Sequence, residues 1–413
     1  MIDNNFTRKI AIIGGGPAGM MAAGSALELG ASVTIFEGTD RLGKKLAITG
    51  KGRCNVTNNC SVNDFLENVT KNPRFLYTAL NVFPPEKTIE FFEERGVELK
   101  TERGNRVFPT DDKAKTIVDA MKRYSSQATV IYEKVTSVEV NAEGGFTVKA
   151  DESYNFDAVI LATGGKSYPK TGSDGSGYRL AIKLGHSVTE LKPSLIPIES
   201  KDKICSQMMG LSLKNVAIKI LDKNEKCLYT DFGEMMFTHF GVTGPIILSA
   251  SARIKDSNIS DLTLSIDLKP ALDEKTLDAR LLSDFKENAN KDFANSLSAL
   301  LPSKMIMPFI EKTGIEPHKK VNSITKEERH KILATLKDFR IKLHELRPID
   351  EAIITSGGIE VKQINPKTME SKIVPGLYFA GEMIDVDAYT GGFNLQIAYS
   401  TGFIAGKSAA ETW

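Results

Sequence analysis

The spacing of apolar positions changes character along the chain. Ile10 to Ile13 is apolar throughout, the pattern of a strand buried on both faces. A glycine-rich turn follows, and the spacing predicts a helix from about Pro17 to Leu29. Val33 to Phe36 predicts a second strand, ended by Glu37. Thr129 to Val140 reads as a strand, followed by a turn at Gly144-Gly145 and a strand from Phe146 to Ala150. Phe156 to Gly165 is a buried strand running into a glycine turn, and Gly172, Gly175 and Gly177 precede a helix to about Gly185.

Residues 191–268 then alternate with period two. Leu213 to Leu221, a turn at Asp222 to Glu225, Lys226 to Phe232, and Thr263 to Leu268 predict antiparallel strands in a small barrel or sandwich. Residues 272–336 take helical spacing, with breaks at Pro302, Pro308, Gly314 and Pro317. Arg340 to Leu346 alternates again, and Thr355-Ser356-Gly357-Gly358 leads back to the opening pattern. The last segments are a strand from Gly376 to Ala380 and a helix from Phe393 to about Ala405.

The expected organisation is an α/β domain over 1–190 and 355–413, interrupted by an insertion. Within the insertion, 191–268 and 334–354 form a β-rich barrel domain and 269–333 a helical cap on it. Such a cap would cover a bound cofactor and set substrate access.

Composition narrows this picture. A chain of 413 residues with 41% hydrophobic content can build two or three cores. Lys plus Arg number 53 against 52 Asp plus Glu, so no global charge points to nucleic acid or membrane. Met1-Ile2-Asp3-Asn4-Asn5 has neither a basic nor an apolar leader region, so no secretory signal is expected. No run approaches the roughly 20 apolar residues of a membrane span. Four cysteines without paired spacing fit a reducing compartment, and a cytoplasmic location is expected.

The glycine turns carry the chemistry. Gly14 permits a tight turn, Gly16 lets backbone approach a pyrophosphate, and Gly19 lets the helix pack on the strand. Pro17 and Ala18 open that helix, whose N-terminal N–H groups and partial positive charge face the phosphates. Glu37 falls 23 residues after Gly14, where a carboxylate accepts from the hydroxyls of an unphosphorylated ribose. The fingerprint alone leaves NAD, NADP and FAD open. The return strand, ending at Gly381 with Glu382 and then Asp385, argues for FAD held along its whole length, with the acids accepting from ribityl hydroxyls. In Gly391 to Gln396, the residues Gly392, Phe393, Asn394, Leu395 and Gln396 open a helix. Its N-terminus would stabilise negative charge at the pyrimidine edge of a reduced flavin.

The loop Gly50 to Asn58 offers Gly52, Arg53, Cys54, Asn55 and Thr57 to pyrophosphate and flavin. Gly38, Lys44, Lys45, Val135, Ala162, Thr163, Gly164 and Gly165 complete the candidate cofactor residues. Five residues separate Cys54 from Cys60, where flavin-dependent disulfide reductases carry four. That favours a structural Cys54 beside the flavin over a redox dithiol. No second G-x-G-x-x-G follows a strand, so NAD(P)H would have to dock transiently. His239 is a candidate proton donor. A histidine hydrogen-bonded at a domain junction accounts for it more simply. Tyr168 and Tyr389 are candidates to face substrate, each with packing as the simpler role. No metal-ligand spacing appears among the five histidines.

Taken together, Gly14 to Gly19, Gly52 to Asn58, Phe237 to Pro245, Thr368 to Lys372 and Gly391 to Gln396 resemble the YhiN/HI0933-like bacterial flavoproteins, almost end to end. The resemblance implies non-covalent FAD, a doubly wound fold of the glutathione-reductase superfamily, and an inserted β-barrel and helical bundle. Members include an aminoacetone oxidase, a bile-acid-intermediate reductase and a ribosomal-RNA dihydrouridine synthase. The resulting expectation is an FAD-dependent oxidoreductase passing a hydride between flavin N5 and a small organic substrate. NAD(P)H or oxygen would be its redox partner. The alternatives are flavin-dependent reduction of a uridine in ribosomal RNA and a non-catalytic flavin-binding redox sensor. RNA has a basic segment in its favour: residues 318–347 hold nine Lys or Arg against four Asp or Glu.

Overall fold

A computed structural model describes residues 7–411. Met1 to Asn5, on which the expectation about a leader rests, lies outside the described residues. The chain divides into two compact units: one runs to Pro193 and resumes at Ile349, the other is Ser194–Pro348.

The first unit is built on a five-stranded parallel sheet. Its order is Leu377–Phe379, Ala158–Leu161, Lys9–Ile13, Ser32–Phe36, Thr129–Ile131. The apolar runs sit where a sheet covered on both faces requires them: Ile10, Ala11, Ile12, Val159, Ile160 and Leu161 are fully buried. The helix Pro17–Leu27 crosses from the first strand to the second. It packs along the closing helix Phe393–Glu411 through glycines. A Cβ at Gly402 would strike the Ala18 carbonyl, and one at Gly406 the Ala22 carbonyl. Two α-helices can approach this closely only where one side chain is missing.

The segment 129–140 is two strands rather than the one expected. Thr129–Ile131 ends the parallel sheet, whereas Ser137–Val140 joins Phe146–Lys149 and Ser153–Phe156 in a separate antiparallel sheet. The polar stretch Glu133-Lys134 interrupts the apolar pattern between them, and Val135 turns inward to a buried position.

The second unit holds a six-stranded antiparallel sheet, ordered Ile198–Glu199, Gly241–Thr243, Cys227–Phe237, Ser212–Leu221, Thr263–Asp267, Phe339–Lys342. The hairpin strand runs on to Phe237 instead of stopping near Phe232. The sheet curls into a barrel. Leu346, beyond the last strand, bridges Ile198 of the first, and the Glu199 N–H donates to the Glu345 carbonyl at 2.8 Å. Pro245 opens the helix Pro245–Ile254 at a position where its missing N–H costs nothing.

The helices Glu274–Glu287, Ser303–Thr313 and Lys326–Lys337 bury Leu277, Leu281, Phe309, Ile332 and Leu336 in the same core. The expected break at Pro308 does not occur. Pro308 lies inside Ser303–Thr313, where the burial of Met305, Phe309 and Ile310 outweighs one lost intrahelical hydrogen bond. Among the described residues, no helix is long and apolar enough to cross a membrane.

Candidate cofactor site

The glycines of the first turn hold two crossing loops together. The Gly14 N–H donates to the Phe36 carbonyl at 2.8 Å, and at φ +108° a Cβ on Gly14 would sit 2.5 Å from the Ala162 carbonyl oxygen. A Cβ on Gly19 would collide with the Gly14 carbonyl. Gly16 is different. Its backbone is ordinary, at φ −77°, and a Cβ there meets nothing within 4 Å. Gly16 therefore borders open space, beside a helix whose first turn has no side-chain cap and begins with Pro17 and Ala18. Uncapped N–H groups around an empty approach form an anion cradle.

Glu37 is buried at the end of the second strand. One carboxylate oxygen accepts from the Gly15 N–H at 2.9 Å and the other from the Thr39 N–H at 2.8 Å, which leaves further acceptor capacity on each. Gly38 lies against Lys134, which pairs with Asp174. Val135 is buried.

At the far end of the sheet, Glu382 is the centre of a polar knot. Lys45 Nζ lies 2.8 Å from Glu382 Oε2 and 2.8 Å from Ser167 Oγ. Glu382 Oε1 accepts from the Thr355 N–H at 2.8 Å and from the Ser167 hydroxyl at 3.1 Å. Gly165 makes room for this, since a Cβ there would stand 2.9 Å from Glu382 Oε1. Gly164 packs against Ser173, and Thr163 Oγ1 lies 3.9 Å from Met383 Sδ. Gly381, at φ +75°, receives no Cβ because Ala18 is in the way. Asp385, also buried, pairs with Lys71 at 2.8 Å, away from the knot's own partners. Lys44 pairs with Asp40 at 2.8 Å.

The loop between these regions is left-handed at Gly50, Lys51 and Gly52, with φ +61°, +57° and +85°. Arg53 anchors it. Its guanidinium contacts Glu102 at 2.5 Å and Asp112 at 2.6 Å, and lies 4.3 Å above the Phe108 ring. These carboxylates hold the guanidinium above its usual pKa, so its charge is already answered by protein. The loop therefore offers backbone and Asn55 to a ligand in place of a free arginine cation. Asn55 Oδ1 is buried and has no partner among the described residues, and Gly52 borders open space.

Cys54 and Cys60 are free thiols. Burial pushes the Cys54 thiol well above the ordinary range and that of Cys60 up to about 11. Thr57 donates to Gln396 Oε1 at 2.6 Å, and Gln396 Nε2 donates to the Phe83 carbonyl at 2.9 Å. Gly392 lets the closing helix start against Thr57, where a Cβ would overlap the Thr57 carbonyl. Asn394 brackets Ala388, accepting from its N–H at 3.0 Å and donating to its carbonyl at 2.8 Å. Phe393 is buried edge-on to Phe65, and Leu395 is half-buried.

Among the sequence candidates for substrate chemistry, Tyr168 lies in the first unit, just beyond Gly165 and Ser167, and is partly exposed. Tyr389 is in the same unit, where its N–H donates to the Asn68 carbonyl at 3.0 Å. His239 is exposed in the second unit, edge-on to Phe240 at 5.0 Å. The polar residues Ser167, Thr355, Glu102 and Asp112 carry no motif signal, although Thr355 opens the segment that leads the chain back from the insertion. No group of metal-ligating side chains occurs among the described residues.

The family described as the HI0933-like protein Rossmann domain matches residues 8–408. The chain belongs to this family. It is 29% identical to the 3-dehydro-bile acid delta(4,6)-reductase of Clostridium scindens, over 98% of this chain and 99% of that protein. It is 28% identical to the ribosomal RNA dihydrouridine synthase of Escherichia coli, over 96% and 98%. Among solved structures it resembles the 3-ketosteroid-delta4-(5alpha)-dehydrogenase of Rhodococcus jostii RHA1. The TM-score is 0.54 at 14% identity, over 100% of this chain and 99% of that one. It also resembles a flavocytochrome c3 fumarate reductase, with a TM-score of 0.51 at 16% identity over 99% and 79%. These likenesses carry the fold. Membership of the family makes this HI0933-like chain an FAD-dependent oxidoreductase.

Proposed function

We propose that this HI0933-like protein reduces a carbon–carbon double bond conjugated to a carbonyl in a small organic molecule. One observation carries the substrate class. Two full-length relatives with unrelated substrates are each named for saturating such a bond. A 3-dehydro-delta(4,6) steroid has double bonds in line with its 3-oxo group, and dihydrouridine is uridine saturated beside its carbonyl.

The residues present fit FAD. Open space at Gly16, the uncapped helix at Pro17 and Ala18, and the buried carboxylate of Glu37 suit a pyrophosphate and an adenosine ribose. The unpartnered Asn55 Oδ1, the open side of Gly52 and the N-terminus of the closing helix suit a flavin ring. Gly14, Gly19, Gly38, Ala162, Thr163, Gly164, Gly165, Gly381 and Gly392 would shape the channel, with Lys45 and Glu382 toward the ribityl chain. Bound FAD supplies reversible two-electron hydride chemistry. The protein's part is to favour negative charge at the helix N-terminus near Phe393 and to hold the loop rigid through Arg53, Glu102 and Asp112.

NAD(P)H is the proposed donor, docking transiently. The test is anaerobic mixing of the yellow protein with NADH or NADPH, then with cyclohexenone or oxygen. Bleaching followed by recolouring with cyclohexenone is expected. A protein that takes up no FAD, or one that returns electrons to oxygen alone, rejects the reading.

The RNA reading has the name of the Escherichia coli relative in its favour. The side-chain pairing weighs against it. Of the nine cations in 318–347, six face acids: Lys319 with Glu328, Lys320 with Asp292, Arg329 with Asp278, Lys337 with Asp267, Arg340 with Glu225, and Arg347 with Glu199. A neutralised cation releases few counterions from a phosphate backbone. RNA binding that is tight, steeply salt-dependent and abolished by Arg340→Glu with Lys342→Glu would reverse the preference.

A further inference from the structure

We propose that Tyr168 is the proton donor of this reduction, an inference that rests on the conjugated-alkene reading of the site. Among the described residues, nine non-glycine positions have positive φ, and Tyr168, at +53°, is the one aromatic among them. A bulky side chain disfavours this left-handed conformation, and the following Pro169 normally pushes its predecessor toward extended backbone.

The protein enforces the conformation from every side. The Lys166 and Ser167 N–H groups both donate to Thr355 Oγ1, at 2.8 and 3.1 Å. Ser167 Oγ is held by Lys45 and Glu382, and the Tyr168 N–H donates to the Asp350 carbonyl at 3.2 Å. The Tyr168 carbonyl accepts from the Thr171 N–H at 2.8 Å and the Thr171 hydroxyl at 2.7 Å.

This clamping does not bury the residue in the core: Tyr168 remains 38% exposed. A strained residue whose side chain does not serve the core points to a functional use. Its place supports the same conclusion. The clamp is the knot around Glu382, at the carboxyl ends of the Ala158–Leu161 and Leu377–Phe379 strands, the edge where open α/β sheets bind ligands.

The chemistry balances. With FAD bound, the reduced cofactor would supply hydride to the β-carbon of the conjugated alkene, its N–H bond breaking as the new C–H bond forms, and the π pair would shift toward the carbonyl as an enolate. The Tyr168 O–H bond breaks, its proton goes to the α-carbon, and water reprotonates the phenolate. The substrate gains two electrons and two hydrogens, and the flavin loses two electrons. A phenol O–H placed beside the α-carbon can donate its proton to the enolate.

The test compares the FAD-loaded wild type, Tyr168→Phe and His239→Gln, each reduced anaerobically and mixed with cyclohexenone or with oxygen. Phenylalanine keeps the ring and the packing. For Tyr168→Phe we expect flavin reoxidation by cyclohexenone to slow by roughly 100-fold or more, reoxidation by oxygen to stay as in the wild type, and the solvent deuterium isotope effect to change. Loss of the cyclohexenone reaction in His239→Gln, with Tyr168→Phe at the wild-type rate, overturns the proposal. So does a Tyr168→Phe variant with unaltered rate and isotope effect. A wild type inert to cyclohexenone but reactive with oxygen fails at the earlier step, the substrate class itself.

Discussion

Lys45 and Glu382 stand 337 residues apart in sequence and meet at 2.8 Å, both side chains about four-fifths buried. The pair ties the short helix Lys44–Ile48, which follows the second strand, to the end of the strand Leu377–Phe379. Ser167 and Thr355 complete it from two further segments. Four distant pieces of chain are thereby fixed around one carboxylate.

Removing one partner should cost more than removing both. Lys45→Met leaves a carboxylate with two neutral donors and no cation, and should destabilise by about 1–3 kcal/mol. The double variant Lys45→Met with Glu382→Gln should recover part of that loss. Urea unfolding of the wild type, the single variants and the double variant measures the coupling. Strict additivity would show that the pair contributes no interaction of its own.

Gly16→Ala should separate folding from cofactor binding. The backbone there suits any residue, and a methyl group meets no protein atom. Stability of the apo protein should stay within about 0.5 kcal/mol of wild type. FAD retention should fall, because the methyl group occupies the approach to the helix N-terminus. The visible spectrum after gel filtration reads one effect and thermal unfolding of the apo form the other. A yellow Gly16→Ala protein would move the pyrophosphate elsewhere.

Thiol chemistry should be silent in turnover. With Cys54 buried and Cys60 shifted up to about 11, both hold their protons through the neutral range. Alkylation by iodoacetamide at pH 8 should mark exposed Cys227 first, and Cys60 should gain reactivity only as the pH approaches 11. Flavin reduction in Cys54→Ser should be largely intact. A charge-transfer band in the two-electron-reduced wild type, absent in Cys54→Ser, would contradict this.

His186 predicts an acid-side loss of stability. It is buried, with Nε2 on Ser371 Oγ at 2.8 Å and its ring edge-on to Phe379 at 4.8 Å. Burial lowers its pKa, so below an unfolded value of about 6.5 the unfolded chain takes up a proton that the folded chain refuses. The stability this residue contributes is present above that value and declines as the pH falls through the window beneath it. His186→Phe should flatten the slope between pH 7 and 5 in chemical denaturation. An equal slope in both proteins would assign the effect to other groups.

Much of the architecture is legible because its signals are local. Gly14, Gly16 and Gly19 fall in register with the helix, and apolar runs mark two of the three interior strands of the parallel sheet, Lys9–Ile13 and Ala158–Leu161. What escapes the sequence is partnership across long separations. Nothing near Arg53 announces Glu102 and Asp112, and those two acids change its role from phosphate cation to loop anchor. The helix through Pro308 escapes for a related reason: local propensity says stop, and buried contacts decide otherwise. Tyr168 is visible as a residue type, but its left-handed backbone is a property of the clamp around it.

The glycine contact between the helices Pro17–Leu27 and Phe393–Glu411 has a consequence for synthesis. A ribosome delivers the first helix and the strand Ala158–Leu161 long before the closing helix and the strand Leu377–Phe379 that pack on them. For the whole time that residues 194–348 emerge, the bare faces of Ala18 and Ala22 and the open flank of Ala158–Leu161 have nothing to cover them. The second unit is contiguous and can condense by itself, whereas the first must wait. Birth of this protein is therefore a race between late closure and premature aggregation, and a chain interrupted before Leu377 would be prey for chaperones and proteases.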